Sequence, residues 1–462
     1  MRELADILSA EPMQLADVFC DEPVFSASAE ALMSQRIAEV AYPLADYCLK
    51  NGKHFAVLSI SYREIHAMLR VFGPRVVTQI HHRVVEVLRR ELPSHCYVVA
   101  GQNGLVLLMQ DVNREEAFQL ALRLESILCG SFRIDGFDYG VNFVFSTGEF
   151  PGHTVGKDIT IAEFHRLYTL YEDENYELYK DTGTRVFSIT KERFERLSRV
   201  HELDQLMRDD FADGRFVMHY QPRVELATGR IVGAEALMRW NSSHDGMISP
   251  GVFIPIAEKN GFIHTLTPHA VRSVARDLNR LSSAFGKGFT VGANLSGICI
   301  RSPNIVSIIK ECMDEFGVPR GSIEIEITES QLIDQRRFVM ERLEELRDAG
   351  VATALDDFGT GFSSLHVLTH IPIDYLKLDR SFVSLLSDDP TGKHVAIARS
   401  ISDMGKACGL QVIAEGMETE EEVRVLIEQV GCPLGRGFYF AKPMPLEEFL
   451  ALPAILPAGA NT

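Results

Sequence analysis

Two adjacent carboxylates at the end of an apolar stretch are the residues of this sequence best suited to chemistry. Ala354 and Leu355 lead directly into Asp356 and Asp357, and a glycine-rich turn follows from Gly359. Neighbouring carboxylates repel each other, and burying them is costly unless a cation compensates their charge. A divalent metal at the mouth of an α/β fold is the simplest explanation. The C-terminal half of the chain is therefore predicted to be a metal-dependent hydrolase.

Two further stretches predict strands that carry charged residues on one face. In Ile323–Glu329 the isoleucines alternate with Glu324 and Glu326, and alternate residues of a strand share a face. In a closed barrel these glutamates would face the axis, where an unpaired carboxylate is costly. A solvated edge strand is the alternative interpretation. Lys377 and Asp379 also share a face, so the lysine either orients or deprotonates a water, or forms a structural ion pair.

Other predicted strand ends supply further oxygen ligands. Glu235, Asn294 and Glu415 each follow an apolar stretch, although Glu235 alone is typical of a surface residue and Asn294 alone of a helix cap. Taken together, the strand ends offer mostly oxygen ligands, which suit Mg²⁺ or Mn²⁺ rather than zinc or copper. Several carboxylates fit two ions about 4 Å apart, an arrangement suited to in-line displacement at phosphorus.

Composition and charge narrow the class of protein. The chain has 462 residues, of which 46% are hydrophobic, and a net charge of -18, which argues against binding to DNA through its phosphate backbone. An anionic small ligand still fits, because bound metals outweigh the global field locally. The 8 cysteines include no Cys-x-x-Cys pair, which is typical of reduced cytosolic residues. With no apolar signal region and no run long enough to span a membrane, we expect a cytoplasmic protein.

The pattern of helix and strand signals predicts four parts. They are a helical segment at 1–48, an α+β domain at 49–190, a helical connector at 191–213 and an α/β domain at 214–462. In the last part the order strand, polar end, helix repeats, with strand ends predicted near Glu235, Asn294, Thr328, Asp357, Asp379, Glu415 and Tyr439. An open doubly wound sheet also gathers polar residues at strand ends. About seven consecutive units nevertheless favour a closed, TIM-like (β/α)8 barrel.

A series of short motifs occurs in a fixed order along this last part. The motifs are Tyr220-Gln221-Pro222, Glu235-Ala236-Leu237 with Arg239, Phe253 to Glu258, Asn294-Leu295-Ser296, Glu326 to Glu329, Asp356 to Leu365, Lys377, Asp379, and Glu415 to Glu418. In these motifs the segment from about Arg199 to Pro445 resembles the EAL domain, the family that hydrolyses cyclic di-GMP to the linear dinucleotide pGpG. A single Glu-Ala-Leu tripeptide would not indicate this family, whereas so many motifs in the family's order do.

The resemblance implies roles for individual residues. One metal would be held by Glu235, Asn294, Glu326 and Asp356, and the second by Asp356, Asp357 and Glu415. Lys377 would hold or activate the attacking water. Glu329 would anchor the loop Phe358–Leu365, which in the family helps to place the second metal and reaches a dimer interface. The nucleotide pocket would be lined by Gln221, Leu237, Arg239, Asp379 and Glu418.

One position departs from the family pattern. Where the family usually has Gln before Gly near the last strand, this chain has Arg436-Gly437. A guanidinium brings a positive charge and accepts no hydrogen bond. Arg436 therefore either binds a phosphate of the substrate or disturbs the metal site.

The domain at 49–190 more weakly resembles a degenerate GGDEF domain, the cyclase partner that often precedes an EAL domain. An Asn-Gly hairpin lies where that family has its signature, which here reads Ala100-Gly101-Gln102-Asn103-Gly104. Gln102 and Asn103 are neutral, so we expect no cyclase activity. An unrelated sensory α/β domain is the alternative.

Two functions follow from these observations. The first is an active phosphodiesterase that uses two Mg²⁺ or Mn²⁺ ions, is regulated by its N-terminal domain and forms a homodimer through the EAL domain. The second is a non-catalytic cyclic di-GMP receptor that signals to a partner protein, which Arg436 favours. Because the chain keeps every acidic ligand and Lys377, the enzyme is the preferred interpretation.

Overall fold

A computed structural model describes most of the chain as two compact units, Met1–Glu202 and Leu203–Thr462. The described residues are 40–62, 65–92, 96–101, 104–151, 161–329, 331, 336–359, 371–389 and 391–456. The helix Lys191–Ala212 contains the boundary between the units. The division into four parts stays a prediction. None of the described helices combines the length and apolarity needed to cross a bilayer.

The first unit is an α+β domain built on a five-stranded sheet. Its strands are β1 (Phe55–Ser61), β2 (Cys96–Gly101), β3 (Gly104–Gln110), β4 (Gly130–Ile134), β5 (Phe137–Val141), β6 (Val144–Phe150) and β7 (Val186–Ser188). The sheet has the order β2-β3-β1-β6-β7, while β4 and β5 pair only with each other. The helices are 40–51, Ile65–Phe72, Pro74–Glu91, Arg114–Leu128 and Ile161–Thr182. Every residue of the central β1 is buried, as expected for a strand covered on both faces.

Two sequence predictions in this unit have different outcomes. The predicted hairpin is confirmed, because β2 and β3 pair antiparallel with Gly101 opposite Gly104, although Gln102 and Asn103 lie outside the described residues. The sequence also predicts a single strand near 138–147, and this is wrong, because β5 and β6 belong to different sheets. Asp135 and Gly136, at φ of 52° and 87°, close a tight β4–β5 hairpin, which this pair of residues favours.

The second unit is a closed barrel, as predicted. Its strands are β8 (Phe216–Glu225), β9 (Arg230–Ser242), β10 (Gly246–Ile248), β11 (Thr290–Asn294), β12 (Ile323–Thr328), β13 (Ala352–Phe358), β14 (Tyr375–Leu378), β15 (Gln411–Glu415), β16 (Leu434–Arg436) and β17 (Met444–Pro445). The ring runs β9-β11-β12-β13-β14-β15-β16-β8 and closes by pairing of β8 with β9. Seven of these strands are parallel, and β8 is antiparallel to both of its neighbours.

Helices alternate with the parallel strands, as the repeat predicted. They are Pro250–Lys259, Ile263–Phe285, Gly297–Ile300, Ile305–Phe316, Arg336–Ala349, Arg380–Val383, Lys393–Ala407, Glu420–Val425 and Leu446–Leu450, with a π-helical turn at Leu426–Val430. The sequence also predicts a helix from Arg336 to Ala349 that ends at Gly350. The helix has these bounds, and the φ of 85° at Gly350 suits glycine.

The strand ends follow the prediction at most positions. Strands end at Asn294, Thr328 and Glu415 as expected. The end predicted near Glu235 is wrong, because β9 continues to Ser242 in a long antiparallel ladder with β8 and then with β10. The end predicted near Tyr439 is also wrong, since β16 stops at Arg436.

An ion pair fills the interior of the barrel below its mouth. Arg223 Nη1 donates to Glu324 Oε2 at 2.8 Å, and both side chains are buried. The same guanidinium bonds to Thr290 Oγ1 and lies 5.0 Å from the ring centre of Tyr375. The alternative of a solvated edge strand at Ile323–Glu329 is thereby excluded, because β12 is buried between β11 and β13.

We expect Arg223→Met to lower the free energy of unfolding by about 3–5 kcal/mol, because Glu324 is then left charged and unpaired inside the barrel. The double variant R223M/E324M removes both charges and should recover most of that loss. Fluorescence of the single tryptophan, Trp240, which is buried on β9, reports unfolding of this unit. Equal losses in the single and double variants would contradict the assignment.

His81 in the helix Pro74–Glu91 makes the first unit sensitive to acid. Burial, and secondly the neighbouring His82, lower the pKa of His81 from 6.5 to about 4. Below pH 6.5 His81 becomes protonated in the unfolded chain but stays neutral in the folded protein. The free energy of unfolding should therefore fall by about 3 kcal/mol down to pH 4. In urea unfolding followed by circular dichroism, His81→Phe should reduce this loss. The exposed neighbour variant H82Q should retain it, and identical pH profiles for H81F and H82Q would refute the role.

Candidate active site

Each strand of the barrel contributes one residue to a polar ring near the mouth. In the order of the barrel, the ring consists of Glu235 (β9), Asn294 (β11), Glu326 (β12), Asp356 (β13), Lys377 (β14), Glu415 (β15), Arg436 (β16) and Gln221 (β8). All are buried or partly buried except Asn294, which is exposed. The parallel strands end at the same rim, which is why residues distant in sequence meet there.

Lys377 is the hub of this ring. Its Nζ lies 2.9 Å from Asp356 Oδ2, 2.9 Å from Glu415 Oε1 and 3.4 Å from Glu235 Oε2, and it also bonds to Glu326 Oε2. Burial by itself lowers the pKa of Lys377, but the four carboxylates outweigh it and raise that pKa well above its usual value. Lys377 is therefore an ammonium that donates hydrogen bonds.

The pKa values of the ring carboxylates shift in different directions. Burial raises the pKa of Asp356 to about 6, although Lys377 opposes the shift. Burial and then the charge of Glu235 raise the pKa of Glu326 well above its usual range. Burial also raises the pKa of Glu415, but Arg436 and Lys377 lower it by more, to about 2. The negative charge is therefore most firmly fixed at Glu415.

Arg436 is a full member of the ring. Its Nε and Nη2 donate to the two oxygens of Glu415 at 3.1 and 3.0 Å, and Nη2 also lies 2.5 Å from Glu235 Oε2. Its Nη1 donates to Gln221 Oε1 at 3.0 Å. Burial lowers the pKa of Arg436, yet Glu235 and Glu415 outweigh it and raise that pKa. The sequence singled out this residue but gave no sign of these partners.

The donor chemistry of the ring fits a divalent cation. Carboxylate oxygens and the Asn294 amide are ligands that Mg²⁺ and Mn²⁺ prefer. In the structure the carboxylates close on Lys377 and Arg436, and the described part of the chain has no group of three or more His, Cys, Asp or Glu arranged to hold an ion. Asn294 Nδ2 donates to Glu235 Oε1 at 2.9 Å. The residue types therefore fit a metal, while the two side-chain cations already balance part of the charge.

A bulge lets both adjacent aspartates reach the site. In a regular strand Asp356 and Asp357 would point to opposite faces. The pairing of β13 with β14 shifts register between Leu355 and Phe358, and Asp357 has a φ of 55°. A bulge of this kind re-aims a side chain. Asp357 is half-buried and lines a cavity beside the ring.

That cavity has a volume of about 640 Å³ and mostly apolar walls. It extends from Asn294 and Glu326 past Leu237 towards the helices Pro250–Lys259 and Ile263–Phe285. Its polar lining includes three residues to which the sequence gave no role, namely Glu258, Ser296 and Gln331. Ser296 Oγ donates to Glu258 Oε1 at 2.6 Å. The motifs containing Glu258 and Ser296 were visible in the sequence, but their common location was not.

Other predicted site residues lie around the ring without joining it. Arg239, further along β9, donates to the carbonyl of Met238 at 2.9 Å. Asp379 caps the short helix Arg380–Val383 by accepting from the Ser381 N–H. Glu418 is exposed and pairs with Arg380 at 2.7 Å.

Glu329 holds the start of the predicted loop. Its Oε2 accepts from the Gly359 N–H at 2.9 Å, which agrees with its predicted anchoring role. The rest of the loop, at 360–365, lies outside the described residues, and with it the predicted dimer contact.

Comparisons with known proteins agree with this geometry. The family model described as EAL domain matches residues 204–443. Cyclic di-GMP phosphodiesterase NbdA of Pseudomonas aeruginosa is 36% identical over 55% of this chain and 32% of its own length. Bifunctional diguanylate cyclase/cyclic di-GMP phosphodiesterase MucR of the same species is 27% identical over 87% of this chain and 58% of its own length.

A solved structure, PaMucR Phosphodiesterase, c-di-GMP complex, is similar to the second unit. It has a TM-score of 0.51 and 31% identity, and the match covers 54% of this chain and 99% of that one. The chain spans 32% to 58% of the length of the two curated relatives, so the match concerns part of each. With a matching family model, a closed barrel and a ring built from the family's motif residues, this chain belongs to the EAL domain family.

Proposed function

We propose that this chain hydrolyses cyclic di-GMP to linear pGpG. The observation that carries the proposal is the Lys377 ammonium held among Glu235, Glu326, Asp356 and Glu415 at the mouth of an EAL barrel. The proposal is supported by relatives named as cyclic di-GMP phosphodiesterases and by the similarity to a structure named as a c-di-GMP complex.

Hydrolysis requires a water to attack phosphorus in line with the departing sugar oxygen, while negative charge grows on the phosphoryl oxygens. An ammonium among four carboxylates fixes the positions of their oxygens, which would orient such a water by accepting its hydrogen bonds. The charged state of Lys377 does not agree with deprotonating the water, and because its three N–H groups already have carboxylate partners, holding the water would require one carboxylate to move away. Glu329 acts indirectly, because it positions the backbone that follows Asp357.

The proposed cofactor is Mg²⁺ or Mn²⁺. Glu235, Asn294, Glu326 and Asp356 would hold one ion, and the second ion predicted at Asp356, Asp357 and Glu415 would have to share Glu415 with Arg436. A bound ion supplies a Lewis acid for the phosphate and lowers the pKa of its water.

The substrate would lie over the ring and extend into the cavity beside it. The apolar walls of the cavity, including Leu237, suit a guanine base, and carboxylates at the rim accept hydrogen bonds from its N–H groups. Gln221, Arg239, Asp379 and Glu418 are proposed to line this pocket with Arg436. The regulatory role of the GGDEF-like N-terminal domain, its protein partner, the homodimer and the cytoplasmic location stay predictions.

A non-catalytic cyclic di-GMP receptor is the second candidate. The observation in its favour is that Lys377 and Arg436 compensate the ring carboxylates without a metal. Calorimetry with and without Mg²⁺ separates the two functions. A receptor binds cyclic di-GMP tightly in the presence of EDTA and leaves it intact, whereas the enzyme releases pGpG when the ion is added.

We expect Glu235→Ala to lower pGpG formation at least ~1,000-fold and to weaken metal binding, because it removes a ring carboxylate from both Lys377 and the proposed ion. Product is measured by chromatography after incubation with Mg²⁺. The variant should fold, since one carboxylate fewer relieves repulsion in the ring. Glu225→Ala, at a half-exposed position of β8, is the matched control and should keep its rate. An E235A rate equal to that of the wild type would refute the role of Glu235.

Gly292 on β11 provides the space in which Glu326 sits. A Cβ at this position would lie 2.1 Å from Glu326 Oε1, so Gly292→Ala must shift the carboxylate whose other oxygen bonds to Lys377. We expect turnover to fall at least ~10-fold, because small displacements of catalytic groups are costly. Gly140→Ala on β5, where no atom lies within 4 Å of the new Cβ, is the control. Unchanged turnover in G292A would show that the position of Glu326 is not critical.

A further inference from the structure

Arg436 and the ion proposed for Glu415 compete for the same oxygens. We infer that the Arg436 guanidinium takes the place of the second divalent cation, so that the native chain binds one such ion tightly in its barrel instead of two. This inference rests on the proposed function in one respect, namely that a divalent cation enters the site at all.

The hydrogen bonds of Arg436 and Lys377 engage both oxygens of Glu415 and about three of their four lone-pair positions. The guanidinium engages both Glu415 oxygens in a bidentate pair, the geometry in which arginine and carboxylate bind most strongly. Lys377 Nζ takes a further position on Oε1. An ion bound through both oxygens of Glu415 would have to displace one of two buried cations.

The side chain of Arg436 is also held from its other sides. Gln221 Oε1 accepts from Nη1, and Gln221 is itself fixed by donating from Nε2 to the carbonyl of Ala441 at 3.1 Å. The next residue, Gly437, packs so closely on Met417 that a Cβ would lie 2.1 Å from the Met417 carbonyl oxygen. The backbone after Arg436 is therefore closely packed, and the guanidinium is held by Gln221 as well as by Glu415 and Glu235.

The charge of the ring leads to the same stoichiometry. Counted as fully ionised, the four ring carboxylates exceed Lys377 and Arg436 by two negative charges, and a proton on any of them makes the excess smaller. One divalent cation balances that excess. A second ion would lie within a few ångströms of a guanidinium, where like charges repel strongly in a poorly solvated site. Half-buried Asp357 adds a carboxylate at the edge of the ring, where water screens its charge.

The same contacts argue against the alternative that Arg436 binds a phosphate of the substrate. Its Nε, Nη1 and Nη2 already donate to Glu415, Gln221 and Glu235. These contacts use four of the five N–H groups of the guanidinium, so a bidentate pair with a phosphate would have to replace a carboxylate. Arg436 is therefore a fixed counter-charge of the ring.

The test is a titration of the full chain with Mn²⁺, in which free Mn²⁺ is measured by electron paramagnetic resonance without substrate. The wild type should bind one Mn²⁺ tightly. Arg436→Gln should bind a second at least ~10-fold more tightly than the wild type does, because the competing charge is gone. R436K keeps the charge and should resemble the wild type. Arg280→Gln removes an exposed bidentate pair with Glu447, in which no ring residue takes part, and controls for loss of an arginine.

A second measurement guards against a folding defect. Without Arg436 the carboxylates repel one another, so the melting temperature of R436Q should rise with Mn²⁺ by several degrees more than that of the wild type. R436M provides a second neutral variant with the same expectation. If the wild type and both neutral variants bind the same number of Mn²⁺ ions with the same affinity, the inference is overturned, whether that number is one or two.

Turnover, measured separately, distinguishes this inference from the proposed function. If R436Q gains a tightly bound ion while neither protein forms pGpG, the inference stands and the phosphodiesterase proposal fails. If the wild type forms pGpG and binds two ions as tightly as R436Q, the phosphodiesterase proposal stands and the inference fails.

Discussion

The attraction between one buried ammonium and four carboxylates is the constraint on which the barrel mouth depends. Lys377 Nζ reaches side chains from β9, β12, β13 and β15, so it bridges across the barrel as well as along its wall. Such contacts require closure. In an open sheet the strands at the two edges would be separated, and Gln221, Glu235 and Arg436 could not meet. The ion pairs of Lys377 therefore require the closed barrel, and they hold its strands together at the mouth.

The barrel interior contains two ionic layers with different character. Below the mouth, Arg223 and Glu324 form a single compact pair that is closed off from solvent. Two residues further along the same strand, Glu326 belongs to the ring around Lys377. The lower layer balances charge for charge, whereas the ring retains a negative excess. Only the ring is therefore suited to attract a diffusible cation, and the lower layer is a structural support.

The sequence predicted the elements whose signal is local. Alternation in Ile323–Glu329 and the apolar run before Asp356 identified strands, and the ordered motifs identified the ring residues. It missed features that depend on pairing with distant residues. β8 has the composition of any buried strand, and nothing in it shows that it runs antiparallel. Glu235 looked like a strand end because it follows an apolar stretch, yet the ladders with β8 and then β10 extend the strand to Ser242. The bulge that brings Asp357 to the cavity depends on the register with β14.

Arg436 illustrates why such contacts decide the chemistry. From its type alone, a guanidinium beside a proposed phosphate site is expected to bind the phosphate. Its position at the end of β16, opposite Glu415 in the parallel ladder, places it against a carboxylate before any ligand arrives. A tethered cation is present at a high effective concentration and needs no metal in solution. It keeps the acidic ring compact at every metal concentration, but it offers no Lewis acid. The residue at position 436 therefore determines how much of the ring's negative charge is balanced by side chains of the protein and how much is left for a metal ion to balance.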